Sequence, residues 1–541
     1  MAASLDSSDS SDLSMSSKRD SLHTPGSVFF VSSDGRVLKL PIPSKSPRDP
    51  LTWTGSKRIL AFFALQLYSV VASFEVNLPG LLMRAVQNEF EKDGIEKASF
   101  QSLSAAMTLF TGFGYLLGIP LSTAVGRRPV FVGAAVVTSV STLWAGWAPS
   151  FWHLLASLCF QALAVGAAIG MCLLILIDAT FIHERPNALS LYWCVGSVFI
   201  KLSILILPFI ADLNTCWRTV YQVWLGPCLI AAVGVLLFVP ETYFLRPPVS
   251  LDGRILVQSS SEKVEVYKDW GRYETDTAER PLPALPASSR FWSRLKISRA
   301  PGTTWSAAVA AYMQMILCIL NPLTFWVSLL TGIILSGVIF LNLSQPSVLA
   351  QGTQDPEAVS MWLGVAGIIG SILAFPVTGP LANWFARYYS LRNGGVRHAE
   401  VYLPAFAIPV VTGLASVLIN GFAIEKQWNS GWLYTTSAIS ILSYLTGNVA
   451  FTIWITEAFP RWAAAALAVQ LFTGNMVSFG IASAILPWTT SHQILQPTML
   501  ISILIAVLGI LAVPIAFWGK NVRQYIHGWS SDSERTALRP Q

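Results

Sequence analysis

Charge is what this sequence has least of: Asp, Glu, Lys and Arg together make up 12% of its 541 residues, against about 25% in an ordinary soluble domain. A chain so poor in charge cannot cover a globular surface with solvated side chains. With 53% apolar residues and a mean hydropathy of +0.55 it reads as an all-α, polytopic membrane protein held in a lipid bilayer. Cysteine is sparse too. The six, Cys159, Cys172, Cys194, Cys216, Cys228 and Cys318, show neither Cys-x-x-Cys spacing nor nearby histidine pairs, so they are expected to be small apolar residues rather than metal ligands. Also missing are a Gly-x4-Gly-Lys-Ser/Thr phosphate loop and a His-Glu-x-x-His helix, which argues against an enzyme and implies no cofactor and no metal. The net charge of +6 is scattered through short loops and tails with no basic face, so nucleic acid is not an expected partner.

What the sequence does have is long apolar runs. A bilayer core of about 30 Å takes about 20 helical residues per crossing, and on that measure twelve transmembrane helices are expected. Six fall near 59–82, 102–124, 129–148, 152–177, 189–211 and 219–240; six more fall near 321–341, 359–382, 402–423, 431–455, 464–487 and 497–518. The stretch Pro120-Leu121-Ser122-Thr123 returns as Pro380-Leu381-Ala382-Asn383, again ending an apolar run, which suggests two equivalent six-helix bundles.

Loop charge sets the orientation. The loops with Arg127 and Arg128, with His183 to Arg185, with Arg387, Arg392 and Arg397, and with Arg461 all fall on one side together with both tails, and that side is cytosolic. The expected organisation is a disordered Ser/Asp-rich cytosolic tail over 1–54, a bundle over 55–243, a cytosolic linker over 244–305, a second bundle over 306–518 and a cytosolic tail over 519–541. Residues 306–320 are apolar but short, and are expected to lie at the membrane interface before Asn321-Pro322 starts the seventh crossing. Asn342-Leu343-Ser344, the chain's N-x-S/T sequon, falls on the outer side, making Asn342 a glycosylation candidate.

Two six-helix halves, a basic turn after the second helix and a long central loop resemble the major facilitator superfamily of secondary transporters. Its loop between helices two and three, commonly G-x-L-A-D-R-x-G-R-R, corresponds to Ile119 through Arg128, matching at Gly126-Arg127-Arg128 and carrying Thr123 at the usual Asp position. Asp49-Pro50-Leu51-Thr52-Trp53, Trp217-Arg218, Pro240-Glu241-Thr242-Tyr243, Asp252-Gly253-Arg254 and Gly519-Lys520 are similar to a fungal branch of drug, polyamine and secondary-metabolite transporters. The branch's members often export metabolites or xenobiotics, and some take up organic cations. The family's fourth-helix Arg is absent, since no Lys or Arg falls between Phe151 and Ile182. The fifth-helix Gly-Pro motif is replaced by Gly196-Ser197-Val198-Phe199-Ile200-Lys201.

A transporter needs a polar and aromatic cavity near the midplane and a gate on each side. Lys201 lies about 18 Å into the fifth span at a rise of about 1.5 Å per residue, where an uncompensated lysine costs about 2.5–3.5 kcal/mol. With Trp193 and Ser197 on its stripe it is a substrate-cavity candidate; snorkelling to the outer interface is the alternative. Glu75 in the first span is a second candidate, and the two are a potential pair. Glu75 sits about 180° from the polar stripe Gln66, Ser69, Ser73 and Asn77 at about 100° per residue, so the stripe and Glu75 face different neighbours. Tyr444, Asn448 and Thr452 on the tenth helix, and Gln470 on the eleventh, either line the cavity or tie helices together. Ala162, Gly166 and Gly170 are expected to pack helices. At the inner mouth Gly126, Arg127, Arg128, Asp178, Glu184 and Arg185 are expected to form the cytosolic gate.

The function expected is export of a hydrophobic or amphipathic small molecule by alternating access. Proton coupling follows from the resemblance alone; a monomer is expected, and the plasma membrane is the default location because no retention signal is visible, with vacuolar and endosomal membranes open. Two alternatives are uptake of a polyamine or other organic cation, and a transporter-like sensor.

Overall fold

The computed structural model describes residues 27–29, 40–41, 43, 49–93, 95, 97–210, 217–244, 255–258, 264–267, 299–352, 356–393, 396–490 and 494–534. The N-terminal bundle comprises α1 (Gly55–Leu81), a short α2 (Met83–Phe90), α3 (Lys97–Val125), α4 (Arg127–Gly146), α5 (Phe151–Asp178), α6 (Arg185–Ile210) and α7 (Trp217–Phe238). After the linker comes α8 (Trp305–Leu320). The C-terminal bundle follows with α9 (Pro322–Gly352), α10 (Pro356–Arg392), α11 (Ala407–Glu425), α12 (Ser430–Ala458), α13 (Ala463–Thr490) and the pair α14 (Leu495–Ile510) and α15 (Ala512–Glu534). Among the described residues 11 helices are long and apolar enough to cross a membrane, and α14 with α15, bent by 41°, makes a twelfth.

Polar residues punctuate the apolar runs as capping chemistry requires. Ser150 accepts from the His153 amide at the start of α5, Thr304 from Ala307 at the start of α8, and Asn429 from Gly431 at the start of α12. Asn321 ends α8, and its side chain accepts from the Leu323 amide, so the seventh crossing does start at Asn321-Pro322. Inside the N-terminal bundle small residues let α3 and α5 touch backbone to backbone. A Cβ on Gly114 would strike the Leu163 carbonyl and one on Gly166 the Thr111 carbonyl.

Four expectations change. The first tail is not disordered throughout: β1 (Ser27–Phe29) pairs antiparallel with β4 (Val396–His398) in the loop after α10, and Leu40, 2% exposed, accepts from the Ile182 amide in the loop before α6. The tail thus touches both bundles. The linker contains a hairpin of β2 (Ile255–Gln258) and β3 (Val264–Tyr267), while Asp252-Gly253-Arg254 lies outside the described residues. Helix α8 buries Ala307, Ala308, Ala311, Met315 and Cys318 and packs on both α3 and α13. Its other face, with Val309, Met313, Ile316 and Leu320, is exposed and equally apolar, so α8 bridges the bundles instead of behaving as an amphipathic interfacial helix. Finally, α15 continues to Glu534, and along it Arg523, its side chain 1% exposed, forms a bidentate pair with Glu400.

Asn342 is exposed but lies inside α9, about 30 Å along the helix from Pro322. Ser344 is buried and accepts from Asn420. The sequon is therefore helical and partly engaged, not displayed on an outer loop, and the glycosylation reading is not carried forward.

Candidate functional site

The two bundles meet along two seams, α6 against α10 and α3 against α13. The first is closed from the end at which α6 begins, the side expected to be cytosolic. Arg185, at the start of α6, donates to Glu457 at the end of α12 (2.7 Å), and Glu457 also accepts from Arg397 (2.7 Å). All three side chains are under one tenth exposed, and Arg397 further donates to the Tyr402 hydroxyl. Above this cluster Ser190 meets Thr378, then Ser371 donates to Ser197 at 2.7 Å, then Lys201 lies along Gly367. The second seam relies on close approach. A Cβ on Gly112 would sit 3.2 Å from that of Asn475, and Phe113 packs against Phe472.

The described bonds of the other expected gate residues lie within the N-terminal bundle and the segment that follows α7. Arg127 pairs with Asp178 and donates to the Leu174 carbonyl; Glu184 pairs with Arg58 of α1. Arg128 donates to the Leu236 carbonyl. Glu241 accepts from the backbone amides of Arg127 (3.0 Å) and Arg128 (3.2 Å), so a carboxylate caps the N-terminus of α4 where the helix dipole favours it. Gly126, at φ 116°, makes the turn possible: a Cβ there would lie 2.6 Å from Glu241 Oε2 and 2.8 Å from Ala300 Cβ. Of the six gate candidates only Arg185 has an ion pair to the other bundle among those described.

Midway through the seam, Trp193 packs edge-on against Tyr444 of α12, with centroids 6.2 Å apart. Its indole nitrogen is buried without a hydrogen-bond partner among the described residues. Lys201 is half-buried, and no described residue supplies its ammonium with a hydrogen bond or ion pair. A Cβ on Gly367 would come 3.2 Å from Lys201 Cδ and Cε. The glycine makes room for the lysine stem.

Glu75 lies elsewhere. Fully buried, it points to α4, α5 and α7: Oε1 accepts from Thr142 and from the Cys228 thiol (3.0 Å), and Gln161 donates to Thr142 (2.9 Å). Its Oε2 has no hydrogen-bond partner among the described residues. The polar stripe takes the opposite side of α1, with Ser69 bonded to Tyr192 of α6 and Gln66 against Gly196. The expected Glu75–Lys201 pairing is thus not made, because the half-turn between Glu75 and the stripe sends the carboxyl into its own bundle.

In the C-terminal half Asn448 donates to the Tyr444 carbonyl, within its own helix. Thr452 is buried with its hydroxyl unpartnered among the described residues. Gln470 donates to Thr331 of α9, and Ser478 to the Gly332 carbonyl, so this stripe ties α13 to α9 inside the bundle. Gln470 does not face the seam.

Sequence reasoning missed Glu457, Arg397 and Tyr402 in the gate and Thr142, Gln161 and Cys228 around Glu75. A signal existed for Glu457, since it is the lone acid from Ser430 to Ala458, two residues past the tenth apolar run. None existed for Cys228. On the outer side Glu89 accepts from Trp217 (2.7 Å) and Arg218 (2.6 Å). Partial burial pushes its carboxyl up, but those donors outweigh it and hold Glu89 below the usual value.

The Major Facilitator Superfamily profile matches residues 60–483. Over 535 residues the chain is 19% identical to the uncharacterized MFS-type transporter C1271.10c of Schizosaccharomyces pombe, covering 92% of this chain and 89% of that one. It is 21% identical to the MFS-type transporter penM of Penicillium rubens, covering 95% and 92%. The solved structure of the proton:xylose symporter XylE bound to 6-bromo-6-deoxy-D-glucose shares its fold, with a TM-score of 0.58 at 14% identity over 86% of this chain and 96% of the other.

Proposed function

As a member of the Major Facilitator Superfamily the chain is a multi-pass membrane transporter and not an enzyme, and we propose that it exports an amphipathic small molecule in exchange for protons by alternating access. Export is supported by the resemblance of its Asp49-to-Trp53 and Pro240-to-Tyr243 stretches to a fungal branch of drug, polyamine and secondary-metabolite transporters whose members often export. The observation that carries proton coupling is Glu75, a fully buried carboxyl with no cation among its bonded partners and one oxygen unpartnered among the described residues. An ionised carboxylate buried without a cation is costly. On this reading the site holds a proton in the closed-inside state and exchanges it with water in another state of the cycle, without the bundle itself coming apart.

The cytosolic cluster supplies the conformational half of the cycle. Arg185–Glu457 bridges the bundles, so it exists only while the inner mouth is shut, and its energy biases the equilibrium by the difference between states. Arg127–Asp178 and Glu241 keep the N-terminal bundle rigid as it moves.

The test is flux in proteoliposomes with an imposed pH gradient, using Nile red, rhodamine 6G and fluorescein as amphipathic probes of different charge. Wild-type protein is expected to accumulate at least one probe against its gradient. Glu75→Gln is expected to retain downhill exchange while losing accumulation by at least tenfold. Full accumulation by Glu75→Gln overturns the coupling assignment; no flux of any probe by wild-type protein overturns export of this substrate class.

A further inference from the structure

The charged group that the gate and the proton site leave unused is Lys201. Its ammonium stands within the membrane-spanning part of α6, where a cation with no counter-charge is expensive and marks a pathway or a binding site. Its stem is not free to wander. The methylenes lie along Gly367 of α10, where any larger side chain would crowd them, and the Gly364 side of the same helix approaches the Lys201 carbonyl. One turn toward the cytosol, the Ser371 hydroxyl is already committed to Ser197 and to the Gly367 carbonyl. Two turns away on the same stripe, the Trp193 indole N–H is buried and unpartnered among the described residues. The ammonium can only donate hydrogen bonds. A ligand that satisfies it must accept, and one that also neutralises it must be anionic, while the Trp193 ring two turns away offers an aromatic face.

We propose that the α6–α10 seam contains an anion-recognising subsite in which Lys201 receives the carboxylate of an amphipathic organic acid, with the Trp193–Tyr444 pair packing its apolar body. The proposal rests on the transporter reading above and narrows its substrate class. It runs against the organic-cation alternative, because a cation brought to Lys201 meets like charge with no described carboxylate bonded there to offset it. Lys201 and Trp193 are about 12 Å apart along the helix axis, which suits a ligand with a ring or chain attached to its acid group. The chemistry is shared by an acidic lipid headgroup, and the geometry favours the free acid, because the stem is held against the neighbouring helix and not extended along the lipid face.

The full-length protein in phosphatidylcholine nanodiscs would be titrated calorimetrically with 1-naphthylacetate, 1-naphthylmethylamine and 1-naphthalenemethanol, which share a ring and differ in charge. The carboxylate is expected to bind at least tenfold more tightly than the alcohol, and the amine more weakly than both. Lys201→Met should abolish that preference while leaving alcohol binding within about twofold. Lys201→Arg, which keeps the charge, should restore part of it and controls for misfolding of the methionine variant. Equal binding of carboxylate and alcohol, a preference that survives Lys201→Met, or no binding of any of the three overturns the subsite. Loss of the preference only in discs containing phosphatidylserine assigns the lysine to lipid and overturns the organic-acid occupant. Transport of a neutral probe without carboxylate preference would remove the subsite and leave the transporter function standing.

Discussion

In the N-terminal bundle α1, α4, α5 and α7 enclose Glu75, Thr142, Gln161 and Cys228; at the matching place in the C-terminal bundle α9, α11 and α12 enclose Gln345, Asn420 and Thr436. The Gln345 amide donates to Asn420 (3.0 Å), Thr436 (3.0 Å) and the Leu433 carbonyl (3.1 Å), and Asn420 donates onward to Ser344 (3.3 Å). That network is neutral and its donors have acceptors. Its counterpart is built around an acid and leaves two oxygens, Glu75 Oε2 and Gln161 Oε1, without a partner among the described residues. The cytosolic ends differ in the same way. Asp178 at the end of α5 pairs with Arg127 of its own bundle, and Glu457 at the end of α12 pairs with Arg397 of its own, but Glu457 also takes Arg185 from across the seam. The C-terminal bundle thus holds a neutral interior and the acid that joins the halves, while the N-terminal bundle holds the buried acid for which a change of charge is proposed.

The largest effect expected from breaking this division is at Glu457. Glu457→Ala leaves two buried arginines without their carboxylate, a loss of about 3–5 kcal/mol for the closed state, so the inner mouth should open. Modification of a Thr378→Cys reporter by a membrane-impermeant maleimide added from the cytosolic side should rise at least tenfold. Asp178→Ala, which breaks only a pair within one bundle, should raise it far less. Equal responses would mean that the cross-seam bond does not set the closed state.

Next in size is Gln345→Leu. It strands the partners of a buried network and should lower stability by about 1–3 kcal/mol, read as a lower midpoint in thermal unfolding of the detergent-solubilised protein. The smallest effect is expected at Glu75 itself. Glu75→Gln keeps the shape and the bonds from Thr142 and Cys228 and should change stability by less than about 1 kcal/mol. A large loss at Glu75 and none at Gln345 would reverse the comparison and make the acid a structural group.

Much of this was legible in advance where one helix at a time decides it. The apolar runs located the crossings, Asn321-Pro322 marked the start of α9, and the half-turn between Glu75 and the stripe of Gln66 and Ser69 was a matter of periodicity. The broken last crossing was less visible, since nothing in the apolar run over 497–518 distinguishes α14 from α15. Strands β1 and β4 lie far apart in the chain and pair through backbone bonds that any sequence can make. For that reason the ordered part of the tail had no signal.

By itself the sequence determined the solvent and the spans, because a bilayer acts on each segment separately through its length and hydropathy, and the flanking cations predict the side on which the charges lie. Only the tertiary structure decided which charges meet. Arg127 and Arg185 look alike in their loops, yet one closes on Asp178 within its bundle and the other reaches Glu457 across the seam. Lys201 kept its place opposite Gly367 with no carboxylate bonded to it among the described residues, and Glu75 turned inward to hydroxyl and thiol donors. Pairing between distant helices depends on how two bundles are rotated against each other, and that rotation is set by the packing of α3 on α13 and α6 on α10, which no single apolar run encodes.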